Sequence, residues 1–296
     1  IEDLSPLRAL ANEGAALLNA TFRAFDAASG YQVPRPRPAG SRFMADHVWQ
    51  GENRNRNAHG HVYVQADTAE VHSEMDVVIL TAEGDTLRRM TREVEAGWQT
   101  MSWRGDTDGI RWPSRGLDKE DKPTGGGPSV APGTYTAVLT LGTHVDSMAM
   151  TWVHDPRTAF DAAKHEEGVV QMKRAYAEME RLSDLMQELA AADEAMAAMS
   201  RVWAHLGDST TTVVDSLHQE VAEGITAIHD MIWMPEDFVG YDHVTVRVMS
   251  RLYDAMPDIR EGATANDQRK LEIARGAMDE IEAEVRSLMD GPWKAL

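Results

Sequence analysis

The chain has 296 residues, with 48 acidic and 29 basic side chains, so its formal net charge is −19. A chain this acidic argues against nucleic acid and anionic lipid as partners, because both attract basic surfaces. The absence of cysteine excludes disulfide scaffolds, thiolate metal sites and cysteine nucleophiles. No run of about 18 apolar residues occurs, so the sequence predicts no membrane span.

Residues 1–42 are predicted to form a lead-in helix and a proline-rich strap. Between residues 4 and 25, leucine and phenylalanine recur at helical spacing. The alternating prolines of residues 33–38 favour an extended backbone with few hydrogen-bond donors. Because the first residue is isoleucine rather than methionine, the sequence also suggests a processed chain or a fragment.

Residues 43–156 are predicted to form an antiparallel β-sandwich, because short runs of alternating apolar and polar residues are separated by turn residues. The predicted strands lie at residues 61–66, 76–80, 86–94, 97–103, 134–141 and 145–153. Residues 105–130 are rich in glycine, proline and charged residues, and they are predicted to be a surface loop whose central part, residues 123–128, is mobile.

Residues 157–296 are predicted to form an antiparallel bundle of three or four helices. Apolar residues there follow an alternating spacing of three and four, which keeps one stripe towards a partner helix. The boundary is placed at Pro156, because the residue before a proline disfavours helix. Thr264, followed by Asp267 three residues later, marks a helix start. The predicted fold class is therefore α+β and multidomain.

The segment of residues 97–106, followed after the loop by Pro132–Gly133 and Tyr135, resembles the Ig-like domain of flagellar hook-capping proteins and of many exported bacterial proteins. The resemblance implies an Ig-like sandwich in which the Pro132–Gly133 turn starts a strand and Tyr135 packs on Trp103. Arg104 stands where that family has an aspartate, so any role of the acid is lost.

A wider resemblance covers nearly the whole chain. A segment like residues 1–7, a proline-rich strap, a strand near Trp49, an Ig-like sandwich and a final helical region follow one another in this sequence. This order is similar to the region after the last blade in exported bacterial proteins with sortilin-like, Asp-box (BNR) β-propellers. The resemblance implies a secreted or periplasmic protein whose β-propeller precedes this chain.

No residue pattern marks a catalytic, metal or cofactor site. His59 and His61 are spaced to share one face of a strand, but no third ligand is fixed by spacing. His218 and Glu220 could form an acid–base pair on a helix, although nothing in the sequence orients them. Neither a nucleophile elbow nor a phosphate-binding glycine loop occurs, so we expect no cofactor and no catalytic residue in this chain.

Tryptophan supplies the candidate ligand-binding residues, because its ring can stack on the apolar face of a sugar. We expect Trp98, Trp103 and Trp152 to serve packing in the core and between the domains. Trp112, beside a proline in the predicted loop, and Trp49 are the candidates for an exposed binding role.

The resemblance therefore implies a non-catalytic accessory region that contacts an upstream β-propeller, another protein or a glycan outside the cytoplasm. Two alternatives stay open. One is part of a hydrolase whose catalytic residues lie in the propeller, and the other is an autonomous carbohydrate-binding module. An enzyme needs converging ionisable groups with perturbed pKa values, whereas a scaffold needs an apolar docking surface and a sugar module needs coplanar exposed tryptophans.

Overall fold

The computed structural model describes residues 4–33, 56–118, 124–206, 211–235, 238 and 247–296, and it is an α+β structure. The chain divides into two compact units. We call the first, Ile1–Asp108 with Ser129–Asp161, the β unit, and the second, Gly109–Pro128 with Ala162–Leu296, the helical unit.

The elements follow in chain order. The helices are α1 (Ser5–Glu13), α2 (Ala15–Leu18), α3 (Ala66–Val71), α4 (Ala162–Leu206), α5 (Thr211–Ile232), α6 (Val248–Asp254) and α7 (Ala265–Leu288), and a π-helical terminal turn follows at Met289–Trp293. The strands are β1 (Phe22–Ala28), β2 (Gly30–Gln32), β3 (Ala58–Val64), β4 (Glu74–Leu80), β5 (Thr86–Glu93), β6 (Gly97–Trp103), β7 (Asp106–Asp108), β8 (Gly126–Ser129), β9 (Gly133–Leu141) and β10 (His144–His154).

The β unit contains a three-stranded sheet in the order β1-β3-β6 and a five-stranded sheet in the order β2-β10-β9-β4-β5. Neighbouring strands are antiparallel except for β2 and β10. Alternate side chains of both sheets, among them Val62, Trp103, Val77 and Leu139, are buried in one hydrophobic cluster. The period of two in a strand therefore defines an inner face, where these residues lie, and an outer face.

Two aspartates link β1 of one sheet to β10 of the other. The Ala24 N–H of β1 donates to Oδ2 of Asp146 over 2.8 Å, and the Ala149 N–H of β10 donates to Oδ1 of Asp26 over 2.9 Å. The carboxylates therefore satisfy backbone donors that an open sheet edge would leave unpaired.

The predicted lead-in helix is wrong beyond Leu18, because Phe22 and Phe25 lie on strand β1. Their spacing of three fits one helix face, but in a strand it places them on opposite faces. Phe22 packs against the core cluster, whereas Phe25 contacts the ring of Trp98 on the outer face. The predicted strap and the strand near Trp49 lie outside the described residues.

The helices of the second unit share a core of their own. Met186, Ile228, Leu252 and Ile281 come from α4, α5, α6 and α7 respectively, and they belong to one buried cluster. The predicted start at Thr264 is confirmed, because its hydroxyl accepts from the Asp267 N–H and the Asp267 carboxylate accepts from the Thr264 N–H. None of the described helices has the length and apolar character needed to cross a membrane.

The segment predicted as a surface loop contains a short strand near each end, β7 and β8. Between these strands, Ile110 is buried in the hydrophobic cluster of the helical unit. The sequence predicts one boundary, near Pro156, whereas the chain passes between the units after Asp108, after Pro128 and after Asp161. Residues 109–128 therefore belong to the helical unit, not to a loop of the β unit.

We expect the β unit to lose stability between about pH 3.8 and 2 through Asp155. The side chain of Arg157 donates from Nε and Nη2 to the Asp155 carboxylate over 2.8 and 2.6 Å, and these bonds lower the pKa of Asp155 to about 2. A lowered pKa stabilises the fold above the unfolded-state value and ceases to do so as pH falls towards 2. Urea unfolding across this range should therefore show a steeper loss in the wild type than in Asp155→Asn. Equal slopes would contradict this assignment.

Candidate functional site

The outer face of the three-stranded sheet carries an aromatic cluster. Trp98 on β6 lies 5.2 Å, centroid to centroid, from both Phe25 on β1 and Tyr63 on β3. The strand register explains this grouping, because Tyr63 pairs with Trp98 and also with Arg23. All four positions are out of phase with the inner-face residues Val62 and Val64, so they project from the opposite side of the sheet.

Trp98 is 39% exposed, and among the described tryptophans it is the one whose ring is most open to solvent. The guanidinium of Arg23 lies 5.7 Å above the Phe25 ring and forms an ion pair with Glu13 of α1 at 2.5 Å. Of the two packing roles expected for Trp98, the role in the core is therefore wrong. The alternation of residues 97–103 correctly predicts a strand with two different faces, but the face that holds Trp98 is the outer one.

Polar side chains continue this face beyond the aromatic cluster. Thr100 and Ser102 follow Trp98 on β6, and they pair with His61 and His59 on β3. The Nδ1 atom of His61 lies 3.5 Å from the Thr100 hydroxyl, and Asn57 donates to the Ser102 hydroxyl over 3.2 Å. The face thus combines one exposed indole with hydrogen-bonding groups arranged along two strands.

His59 and His61 share this face, as their spacing in a strand requires. His59 is buried, and its Nδ1 lies 3.1 Å from the Asn57 carbonyl, a distance at which an N–H at Nδ1 can donate to that oxygen. In the described part of the chain no three histidine or carboxylate side chains come together as metal ligands.

Trp112, a candidate binding residue, lies in the helical unit and is half-buried. Its ring stacks on Tyr253 of α6 at 5.3 Å with an interplanar angle of 15°, and its edge meets Tyr176 of α4 at 6.0 Å. The ring is therefore engaged in packing and is not the freely exposed platform that the loop prediction required. Trp49, the other candidate, lies outside the described residues.

Trp103 and Trp152 are buried, as predicted, and the predicted contact between Trp103 and Tyr135 is confirmed at 5.2 Å with edge-to-face geometry. The hydroxyl of Tyr135 donates to the Ala131 carbonyl over 2.7 Å. This contact fixes the start of β9 against the inner face of β6.

His218 does not pair with Glu220, a possibility that the sequence alone leaves open. Instead, the Nε2 atom of His218 on α5 lies 2.9 Å from the hydroxyl of Ser200 on α4. A serine and a histidine at hydrogen-bonding distance are two parts of a nucleophilic site. Ser200 lies inside α4, however, where helical hydrogen bonds already use the backbone N–H groups that would stabilise an oxyanion.

Burial raises the pKa of Asp106 above its ordinary value, an effect that the positive charge of Arg88 opposes. Arg88 Nη1 lies 2.8 Å from the Asp106 carboxylate and also donates to the Thr107 carbonyl over 2.9 Å. Arg88 and Asp106 therefore neutralise each other in an ion pair within the β unit. The pair has the character of a structural ion pair rather than of an available general acid.

Comparisons with family models, with curated proteins and with solved structures find no match for this chain.

Proposed function

We propose that this chain is a non-catalytic interaction region that binds a partner protein through the outer face of the three-stranded sheet. The observation that carries the proposal is the 39% exposed side chain of Trp98, whose ring contacts those of Phe25 and Tyr63. Tryptophan, tyrosine and arginine dominate the residues that carry binding energy in protein interfaces. Trp98, Tyr63 and Arg23 supply all three types within one patch.

A protein partner fits this patch better than a glycan. Sugars stack on flat, open aromatic platforms, whereas the planes of Tyr63 and Phe25 are inclined to that of Trp98 by 52° and 38°. One open indole surrounded by Thr100, His61 and Arg23 corresponds instead to a central anchor within a polar rim. A glycan ligand remains an outcome that the experiment below can reveal.

We further propose that the two sheets form an Ig-like sandwich, that the helices form an antiparallel bundle, and that the chain accompanies a β-propeller outside the cytoplasm. The contact between Trp103 and Tyr135 supports the Ig-like assignment, because the resemblance implies it. The shared core of both sheets and the shared core of α4, α5, α6 and α7 agree with these architectures. The partner on the Trp98 face is then the propeller.

Calorimetric titration of the full chain with the separately expressed propeller region tests this function. Trp98→Ala should weaken binding by at least about tenfold, because an interface anchor contributes roughly 2 kcal/mol or more. Tyr31→Ala is a matched control, since Tyr31 is also 39% exposed but lies on β2 of the other sheet. It should change the affinity less than about threefold.

Equal affinities for Trp98→Ala and the wild type would overturn the proposed docking face. A glycan array on the same samples separates the two ligand classes. A glycan signal that disappears in Trp98→Ala and persists in Tyr31→Ala, without association with the propeller, would replace the protein partner by a carbohydrate.

A further inference from the structure

The helical unit has a groove between α5, α7 and the terminal turn, with a volume of about 220 Å³. Two residues that are unfavourable in helices lie along it, Gly224 within α5 and Pro292 within the terminal turn. Each would weaken an ordinary helix. A Cβ atom at position 224 would lie 2.6 Å from Cδ1 of Leu288, so glycine permits the close approach of the two walls.

The floor and the rim of the groove differ in chemistry. Ala227, Ile228 and Met231 on α5 line it with apolar surface, and Glu220 on α5 and Glu284 on α7 place one carboxylate on each wall. The volume is smaller than the roughly 300–1,000 Å³ of pockets for drug-sized ligands, and it suits a single long side chain.

The two carboxylates are uncompensated within the part of the chain that the structure describes. Elsewhere on α7, Asp279 and Glu282 form ion pairs with Arg181 of α4, and Glu282 also pairs with Arg286. Neither Glu220 nor Glu284 forms an ion pair with a described lysine or arginine. The whole of α5 contains four acidic residues and no lysine or arginine.

We propose that this groove binds an arginine side chain of a basic partner peptide. The aliphatic part of arginine can lie along Ile228 and Met231, as long cationic side chains do on apolar surface. Its planar guanidinium can then donate to the carboxylate of Glu220 or to that of Glu284, one of which stands on each wall. A second copy of this chain is a poor occupant, because each copy carries a net charge of −19 and the copies repel.

Fluorescence anisotropy with labelled hexa-arginine and hexa-lysine peptides, added to the full chain at about 150 mM salt, tests the site. Screening at this ionic strength suppresses long-range attraction to the acidic surface. We expect hexa-arginine to bind several-fold more tightly than hexa-lysine, because only guanidinium forms forked hydrogen bonds with carboxylates. Glu220→Gln/Glu284→Gln should weaken the binding of hexa-arginine by about tenfold or more.

Two further variants distinguish binding in the groove from non-specific attraction to the acidic surface. Glu166→Gln/Glu167→Gln removes the same charge from two exposed positions on α4 and should change the affinity less than about threefold. Ala227→Phe fills the groove from an exposed helix position without changing charge, and it should weaken binding as much as the loss of both carboxylates. Circular dichroism verifies that each variant is folded.

Equal weakening by the two double variants would overturn the proposal, because binding would then follow net charge alone. Full affinity in Ala227→Phe would overturn it as well. Trp98 lies in the β unit and the groove lies in the helical unit, so Trp98→Ala should leave the binding of hexa-arginine unchanged. The two proposals can therefore fail separately.

Discussion

A fragment that spans residues 157–296 should fail to fold cooperatively, whereas the same fragment joined to residues 109–128 should fold. The helical unit is incomplete without this inserted segment. Ile110 is 7% exposed within its hydrophobic cluster, and Trp112 packs against the same cluster. Arg111 donates from Nε to the Ser183 hydroxyl over 2.9 Å and forms an ion pair with Asp184 on α4.

The expected loss is comparable with the stability of a whole domain. Truncation of a buried isoleucine costs about 2–5 kcal/mol, and truncation of a buried large aromatic side chain costs about 3–5 kcal/mol. Since Trp112 is only half-buried, we expect about 4–8 kcal/mol for the two together, against the roughly 5–15 kcal/mol that holds a domain together. Thermal unfolding of the two fragments, followed by circular dichroism, should show a cooperative transition only when residues 109–128 are attached.

Point variants of the full chain check the same argument without fragments. Ile110→Ala should lower the free energy of unfolding of the helical unit by about 2–4 kcal/mol. Leu117→Ala, at an exposed position of the same segment, should change it by less than about 0.5 kcal/mol. Cooperative unfolding of the isolated 157–296 fragment, at the midpoint of the joined fragment, would contradict the structural role of the insertion.

Composition concealed this role of the segment. Residues 105–130 contain glycine, proline and charged residues at a density typical of solvated loops. This composition predicts a loop, although the segment also contains the apolar residues Ile110 and Trp112. The burial of Ile110 depends on helices that follow much later in the chain, so no local period marks it. An isolated isoleucine and tryptophan within a polar loop were the available signal.

Local periodicity predicted the elements whose environment is set by their neighbours in sequence. Alternation along residues 134–141 and 145–153 corresponds to strands β9 and β10, and the cap at Thr264 begins α7. In each case the hydrogen bonds that stabilise the element form within the element itself or with the adjacent strand of a hairpin. Such contacts can be read from a short window of sequence.

The sequence predicts which residues share a face of β6 with Trp98, but it does not predict whether that face is buried. The sequence places Trp98 and Thr100 on one side of β6, and Met101 and Trp103 on the other. Both sides carry a tryptophan, so hydrophobicity alone does not say which side is inside. The inner side is fixed by the other sheet, whose residues Leu139 and Met148 share the buried cluster with Trp103. The candidate surface therefore emerged only from the tertiary structure.

The second large effect is expected at the ion pair between Arg88 and Asp106, whose side chains are only 14% and 16% exposed. Arg88 pairs with the buried Ile79 in the strand register, so its guanidinium lies at the inner side of β5. Removing one partner of a largely buried pair leaves an uncompensated charge, which costs about 3–5 kcal/mol when burial is complete. With the residual exposure, we expect Arg88→Met to lower the stability of the β unit by about 2–4 kcal/mol.

The dependence on pH distinguishes this cause from a simple loss of packing. Burial already raises the pKa of Asp106, and removal of Arg88 takes away the positive charge that opposes the shift. A carboxyl with a raised folded-state pKa is most compatible with the fold when protonated, so stability falls as pH rises from the unfolded value of about 3.8 through the raised one. Urea unfolding should therefore show the deficit of Arg88→Met growing with pH over this range.

The double variant Arg88→Met/Asp106→Asn completes the test, because it removes both charges. It should recover at least half of the stability lost in Arg88→Met and should lose the additional dependence on pH. Arg88→Met would then be destabilised chiefly by the carboxylate that it leaves behind, as expected for a buried charge without its partner. A double variant as unstable as Arg88→Met, with an unchanged pH profile, would instead assign the effect to lost packing of the arginine side chain on the inner side of the sheet.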